Sequence, residues 1–220
     1  HLRTFRLPGG EAAVREPRRS ALALLWEIDP GLADSALPAP AFAPNERALL
    51  GRMLAKEINA PLTSSAGRLF DGVAALLGLR LRSSFEGQAA LALEQAADPR
   101  EHGAYALATR TVANAPLVVD WEPLVRALLD DKARGVHVAV ISARVHRGLA
   151  QAIAQVAAQS GVEQVALSGG CFQNRLLLNW TSAALRRRGM RVLLHSQTPP
   201  NDGCIALGQI AVARHRLVEG

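Results

Sequence analysis

The chain is predicted to adopt an α/β fold, and two observations near its C-terminal end carry that reading. The first is an order of elements. Val165-Ala166-Leu167 reads as a short buried strand, residues 172–188 as a helix, residues 191–195 as a second strand and residues 204–216 as another helix. The second is what stands at the two strand ends. Ser168-Gly169-Gly170-Cys171-Phe172-Gln173-Asn174 follows the first strand, and Pro199-Pro200-Asn201-Asp202-Gly203 follows the second. Two strands joined through a helix run parallel, so both turns fall on one carboxyl edge, where open α/β sheets bind ligands.

The elements upstream follow from local signals. Residues 1–10 read as the end of a strand region entering a loop. Pro17 marks a helix start, because its missing N–H costs nothing there, and residues 20–28 supply the apolar body. Pro30, Pro38, Pro40 and Pro44 make residues 29–44 an irregular connection. Asn45 is a candidate cap for a second helix running to about Ile58. Thr63-Ser64-Ser65 opens a third helix, through Leu79, and residues 85–97 form a fourth. Residues 104–120 have β character around a turn at Asn114-Ala115-Pro116 and read as a hairpin. Residues 121–132 read as helix, and residues 138–159 as one long helix, although residues 136–141 also fit a strand.

Composition excludes several function classes. No run approaches the roughly 18 apolar residues of a membrane span, and the first six residues lack the apolar body of a signal peptide. The chain begins without Met, from which a fragment or a processed form is expected. Cys171 and Cys204 are too few for a disulfide framework; a bridge between them is geometrically open, but they fit better as small buried thiols in a reducing cytoplasm. The net charge of +6 is nearly all arginine, Lys56 and Lys132 being the lysines, and it is scattered along the chain. Its densest run, Arg186-Arg187-Arg188, falls at a helix C-terminus, where cations meet the negative end of the dipole. With 4% aromatic residues there are few stacking platforms, which argues against a nucleic-acid partner.

The candidate site residues follow from these turns. Gly169 and Gly170 allow backbone N–H groups close to a phosphate at the start of a helix. Asn174, one turn into that helix, has an amide that can hydrogen-bond a nucleotide. Asp202 is a hard oxygen ligand for a divalent cation, or alternatively a helix cap. In the third helix Leu69, Val73, Leu76 and Leu77 share one arc of about 100°, a core stripe. Ser64, Gly67 and Asp71 lie on the opposite side, either a plain solvent face or a small-residue surface whose carboxylate meets ribose hydroxyls. His146 reads as a packed helix residue, and His195 as an isolated one, as do His1, His102, His137 and His215. Glu11, Arg15 and Glu16 fit either a substrate-facing cluster or an ordinary loop with capping acids.

Four stretches of the chain resemble the C-terminal carbamoyltransferase region of the HypF family, hydrogenase-maturation enzymes within the wider Kae1/TsaD-like group. They are residues 7–17, beginning Leu7-Pro8-Gly9-Gly10-Glu11; residues 59–71, ending Gly67-Arg68-Leu69-Phe70-Asp71; residues 167–174; and residues 199–203 with Leu207-Gly208-Gln209. They occur in the family's order from end to end. The resemblance implies the C-terminal lobe of an actin/sugar-kinase/Hsp70-like (ASKHA) fold, with residues 1–58 as a helical lead-in or insertion and residues 59–220 as the lobe. It implies that Asp71 and Gly87 contact the nucleotide, although the family's Pro-Gly-Gly is Phe85-Glu86-Gly87 here. His146 matches a histidine of the family, with Val145 where a Phe is common.

The activity so implied is transfer of a carbamoyl group from carbamoyl-adenylate, made from ATP, to the C-terminal cysteine of a HypE-like acceptor, in building the cyanide ligands of nickel–iron hydrogenase. The implied metal, whether iron, magnesium or zinc, would take Asp202 together with two histidines and an Asp-Gly-Thr-Gly aspartate from an upstream half. Acylphosphatase-like, zinc-finger and adenylate-forming domains would also precede this segment. Two alternatives stay open: an O-carbamoyltransferase or tRNA threonylcarbamoyl-type enzyme of the same fold, and a non-catalytic nucleotide- or partner-binding remnant.

Overall fold

Residues 1–37, 41–111 and 115–219 are described by the computed structural model. They form two compact units, His1–Gly148 and Leu149–Gly220.

In the first unit a short strand, β1 (Phe5–Arg6), leads through a helical turn, α1 (Ala12–Arg15), into α2 (Pro17–Ile28). Pro17 occupies the first turn of α2, as its fixed φ and missing donor favour. A one-turn helix, α3 (Leu32–Ser35), lies in the stretch expected to be irregular, and Pro38 and Pro40 of that stretch fall outside the described residues. The next helix, α4 (Pro44–Ala55), corrects the expected cap. Because Pro44 takes the first turn, Ala43 becomes the flanking residue, and the Asn45 side chain accepts from its neighbour Glu46 N, at 2.9 Å.

Next, β2 (Leu62–Thr63) pairs antiparallel with β1, Phe5 opposite Thr63. Two residues per strand are too few for a period-2 pattern, so this pairing left no trace in the hydropathy. The third long helix, α5 (Ala66–Leu76), is capped by Ser65, whose Oγ accepts from Arg68 N at 3.3 Å. It packs against α2 with Gly72 at the contact. A Cβ there would lie 2.5 Å from Leu24 Cδ1 and 3.3 Å from Ala21 N, so only glycine admits this approach. The helix α6 (Gln88–Ala96) packs on α5 in turn.

The expected hairpin is present as β3 (Ala108–Arg110) and β4 (Val118–Asp120), with Thr109 opposite Val119; Asn114 of its turn lies outside the described residues. Leu2 extends this ribbon by a parallel bridge to Val119. Trp121 starts α7 (Glu122–Ala133) from the core, with its ring edge-on to Phe5 at 5.8 Å and its Nε1 donating to the Arg3 carbonyl at 2.7 Å. The long helix is real: α8 runs from Val138 to Gln159 as one piece. In its first half Ile141, Ala143 and Val145 are buried, and Ser142 Oγ donates to the Leu93 carbonyl.

The second unit has the predicted order. The strands β5 (Gln164–Leu167) and β6 (Arg191–Leu194) are parallel, with Leu167 opposite Leu194, and are joined through α9 (Arg175–Arg186). Ala154 of α8, Leu167 and the α9 residues Ala184 and Leu185 make its small core, flanked by Val165, Leu178 and Val192. The last helix, α10 (Ile205–Glu219), exposes Ile205, Leu207, Ile210, Val212 and Leu217. No helix among the described residues is long and apolar enough to cross a membrane.

Candidate nucleotide site

The glycine turn is built by the end of β5. Gly169 has φ +100° and ψ 157°, a conformation that only glycine adopts easily. A 3-10 turn, Gly170–Gln173, follows, and α9 begins at Arg175. Asn174 is therefore not one turn into the helix, as expected, but its N-cap. It is 8% exposed, and its Oδ1 accepts from Leu177 N at 2.8 Å. The insertion of the 3-10 turn pushes the helix start towards the C-terminus and gives the Asn side chain an N–H to satisfy. A Cβ built at Gly169 or Gly170 meets no atom within 4 Å, so the surface above the turn is open.

The loop after β6 comes to the same edge. Gly169 N donates to the Pro200 carbonyl at 2.7 Å, which ties the glycine turn to the Pro-Pro-Asn-Asp stretch. Asp202 opens a 3-10 turn, Asp202–Cys204, and is exposed, while the capping is done by Asn201, whose Oδ1 accepts from Gly203 N at 3.1 Å. Cys171 and Cys204 are free and half-buried. Among the described residues no three His, Cys, Asp or Glu side chains converge as a metal site would require. One exposed carboxylate is too few donors for a divalent ion held in fixed geometry, so the described residues alone do not fit a metal.

His195 is not isolated. Its Nε2 lies 3.0 Å from Ser168 Oγ and its Nδ1 3.0 Å from Thr198 Oγ1. The pairing was invisible as sequence because the two residues are far apart in the chain. The available signal was the register, since Ser168 and His195 each stand one place past the end of a strand in a parallel pair.

The remaining candidates lie in the first unit. Asp71 is 3% exposed, because α5 is buried on all sides from Leu69 to Leu77; Ser64 is exposed and Gly67 half-buried, so the carboxylate does not share their open surface. Arg68 Nη1 sits 2.8 Å from Asp71 Oδ2 but out of hydrogen-bond alignment, which leaves both buried atoms without a hydrogen bond. Burial outweighs the attraction of Arg68 and, with Glu86 adding repulsion, pushes the Asp71 carboxyl up to about 6. Gly87, at φ +80°, is the left-handed N-cap residue of α6, a backbone need that accounts for a glycine there. His146 is fully buried against Phe70, ring centroids 5.2 Å apart. Its Nδ1 lies 2.8 Å from the Ser142 carbonyl, so that nitrogen carries the proton, and burial holds the ring neutral with its pKa lowered to about 4.

Residues 1–209 match the family described as carbamoyltransferase, Kae1-like domain, second subdomain. Carbamoyltransferase HypF of Synechocystis sp. is 40% identical over 96% of this chain, and that of Rhodobacter capsulatus is 42% identical over 96%. The chain spans 29% and 27% of those two proteins, under a third of their length. A crystal structure of full-length HypF in a phosphate- and nucleotide-bound form superimposes with a TM-score of 0.90 at 32% identity, covering all of this chain and 29% of that one. HypF of T. kodakarensis gives a TM-score of 0.82 at 26% identity, covering all of this chain and 30% of that one. The chain belongs to the HypF carbamoyltransferase family, as the second subdomain of its Kae1-like domain.

Proposed function

We propose that this chain is the phosphate- and nucleotide-holding part of a carbamoyltransferase that moves the carbamoyl group of carbamoyl-adenylate onto the C-terminal cysteine of a HypE-like acceptor in hydrogenase maturation. The observation that supports it is the open glycine turn at the carboxyl edge of β5, tied by Gly169 N and the Pro200 carbonyl to the loop that carries Asp202. That edge is where α/β sheets take ligands, and a structural neighbour is described as phosphate- and nucleotide-bound. On this reading the thiolate sulfur attacks the carbamoyl carbon. A C–S bond forms, the bond from that carbon to the phosphate oxygen breaks, and AMP leaves with the electron pair. Gly169 and Gly170 hold the phosphate and exclude side chains from it, and Asn174 orients the nucleotide while capping α9.

Asp71 and Gly87 enter the reading as nucleotide contacts through the family resemblance. For Asp71 the contact requires Arg68, which already lies against its Oδ2, to swing aside. A divalent metal, the preceding domains, a cytoplasmic location and the division at residue 58 belong to the same proposal. No step is assigned to the metal.

Gly170→Ala provides the test. Its Cβ meets nothing within 4 Å and its φ is ordinary, so the fold should tolerate it. A phosphate seated on the turn does not tolerate it, and ATP affinity of the full chain, measured by calorimetric titration, should fall about tenfold or more for the loss of charge-assisted backbone contacts. An unchanged affinity removes the phosphate from this turn.

A further inference from the structure

The glycine turn is closed by Phe172 N donating to the Gly169 carbonyl at 3.0 Å, and Phe172 packs against the small core. Gly169 and Gly170 bring no side chain, and the space where a Cβ would stand is empty at both. Two further links tie the turn to the loop after β6. One is the bond from Gly169 N to the Pro200 carbonyl, at 2.7 Å. The other is His195, whose ring is held between Ser168 Oγ and Thr198 Oγ1, each at 3.0 Å.

The strand register accounts for the second link. Leu167 and Leu194 are the last paired residues, so Ser168 and His195 come side by side just past the sheet. Leu167 points into the core formed with α8 and α9, and alternation turns Ser168 to the uncovered side. Both hydroxyls can donate or accept. A neutral imidazole, with one N–H and one lone pair, therefore bonds both in either tautomer, and a protonated ring donates to both.

We propose that His195, clamped between Ser168 and Thr198, is a positioning residue that sets the glycine turn for the phosphate end of the nucleotide. This rests on the nucleotide reading of that turn. Ser168 and His195 are exposed, so their bonds compete with water and add little to folding. Their effect appears when a ligand covers the turn and needs its N–H groups held to within a fraction of an ångström.

The experiment is ATP titration by calorimetry of the full chain carrying His195→Ala, Ser168→Ala, both together, or Ser168→Thr, with the unfolding midpoint of each measured in parallel. Each alanine variant is expected to bind ATP about tenfold more weakly, the factor for one lost hydrogen bond in a covered site. The double variant should be no weaker than the worse single one, because the two side chains act through one contact. Ser168→Thr, which keeps the hydroxyl, should restore binding, and the midpoints should stay near wild type. Wild-type affinity in His195→Ala, or additive losses in the double variant, overturns the clamp while leaving the nucleotide reading intact. A wild-type chain that binds no ATP overturns that reading and the clamp with it.

Discussion

Two buried titratable side chains in the first unit, Asp71 and His146, pull the stability of the protein in opposite directions with pH. The Asp71 carboxyl is raised from 3.8 to about 6 in the folded chain, so its contribution is full below about 3.8 and is lost as pH rises through about 6. The His146 ring is lowered from 6.5 to about 4, so its contribution is full above about 6.5 and is lost as pH falls through about 4. Each shift corresponds to roughly 3 kcal/mol across its window, and the windows overlap between about pH 4 and 6. Asp71→Asn should therefore gain stability relative to wild type as pH rises from 4 to 6. His146→Gln, which also cannot ionise, should lose stability relative to wild type over the same interval. Urea unfolding of the three proteins at half-unit steps of pH reads both differences. Parallel curves would mean that these groups titrate alike in the folded and unfolded chain.

The elements rest on two contacts that the residues alone describe well. Gly72 lets α2 and α5 approach until a Cβ has no room, so Gly72→Ala should destabilise the chain by about 1–3 kcal/mol, read as a lowered urea midpoint at unchanged slope. Asn174 has two proposed roles that substitution can separate. Asn174→Ala removes the α9 cap and should cost about 1 kcal/mol of stability. Asn174→Ser keeps a capping oxygen and should recover most of that stability. If the Asn amide also touches the nucleotide, Asn174→Ser should still bind ATP more weakly, and calorimetry beside unfolding distinguishes the two. A serine variant that recovers both stability and affinity makes Asn174 a cap alone.

For the whole molecule, the two units differ in how completely their apolar surface is covered. In the first, α2 and α5 are packed so closely that Leu22, Leu24, Leu25, Leu69 and Leu76 have no exposed surface. In the second, a two-stranded parallel sheet is backed by a small core, while α10 leaves Leu207, Ile210 and Leu217 exposed, the last by 85%. Two strands and one covered face are marginal alone. Amides of β5 and β6 should therefore exchange with deuterium markedly faster than those of α2 and α5, by hydrogen exchange with mass spectrometry. Equal protection of the two would show that the small core suffices. In proteins of the relatives' full length, over three times that of this chain, the same β5 and β6 amides should become protected.

The helices α2, α5, α8 and α9, the parallel strand order and the two turns were legible in the amino-acid sequence, because each is written in local patterns: a Pro at a helix start, a 3.6-residue apolar stripe, glycines after a short apolar strand. The long helix at 138–159 was legible to the residue. Whatever depended on distant partners emerged with folding. Asp71 looked solvent-facing by its angle on α5, yet it is sealed in, since periodicity reports one helix and burial reports everything packed around it. Asn174 became a cap because a 3-10 turn displaced the helix start. The pairing β1–β2 and the clamp of His195 on Ser168 join residues far apart in the chain, which no window along the sequence spans. Hydrogen bonds of this kind are chosen by register and approach, and those exist only after the chain has folded.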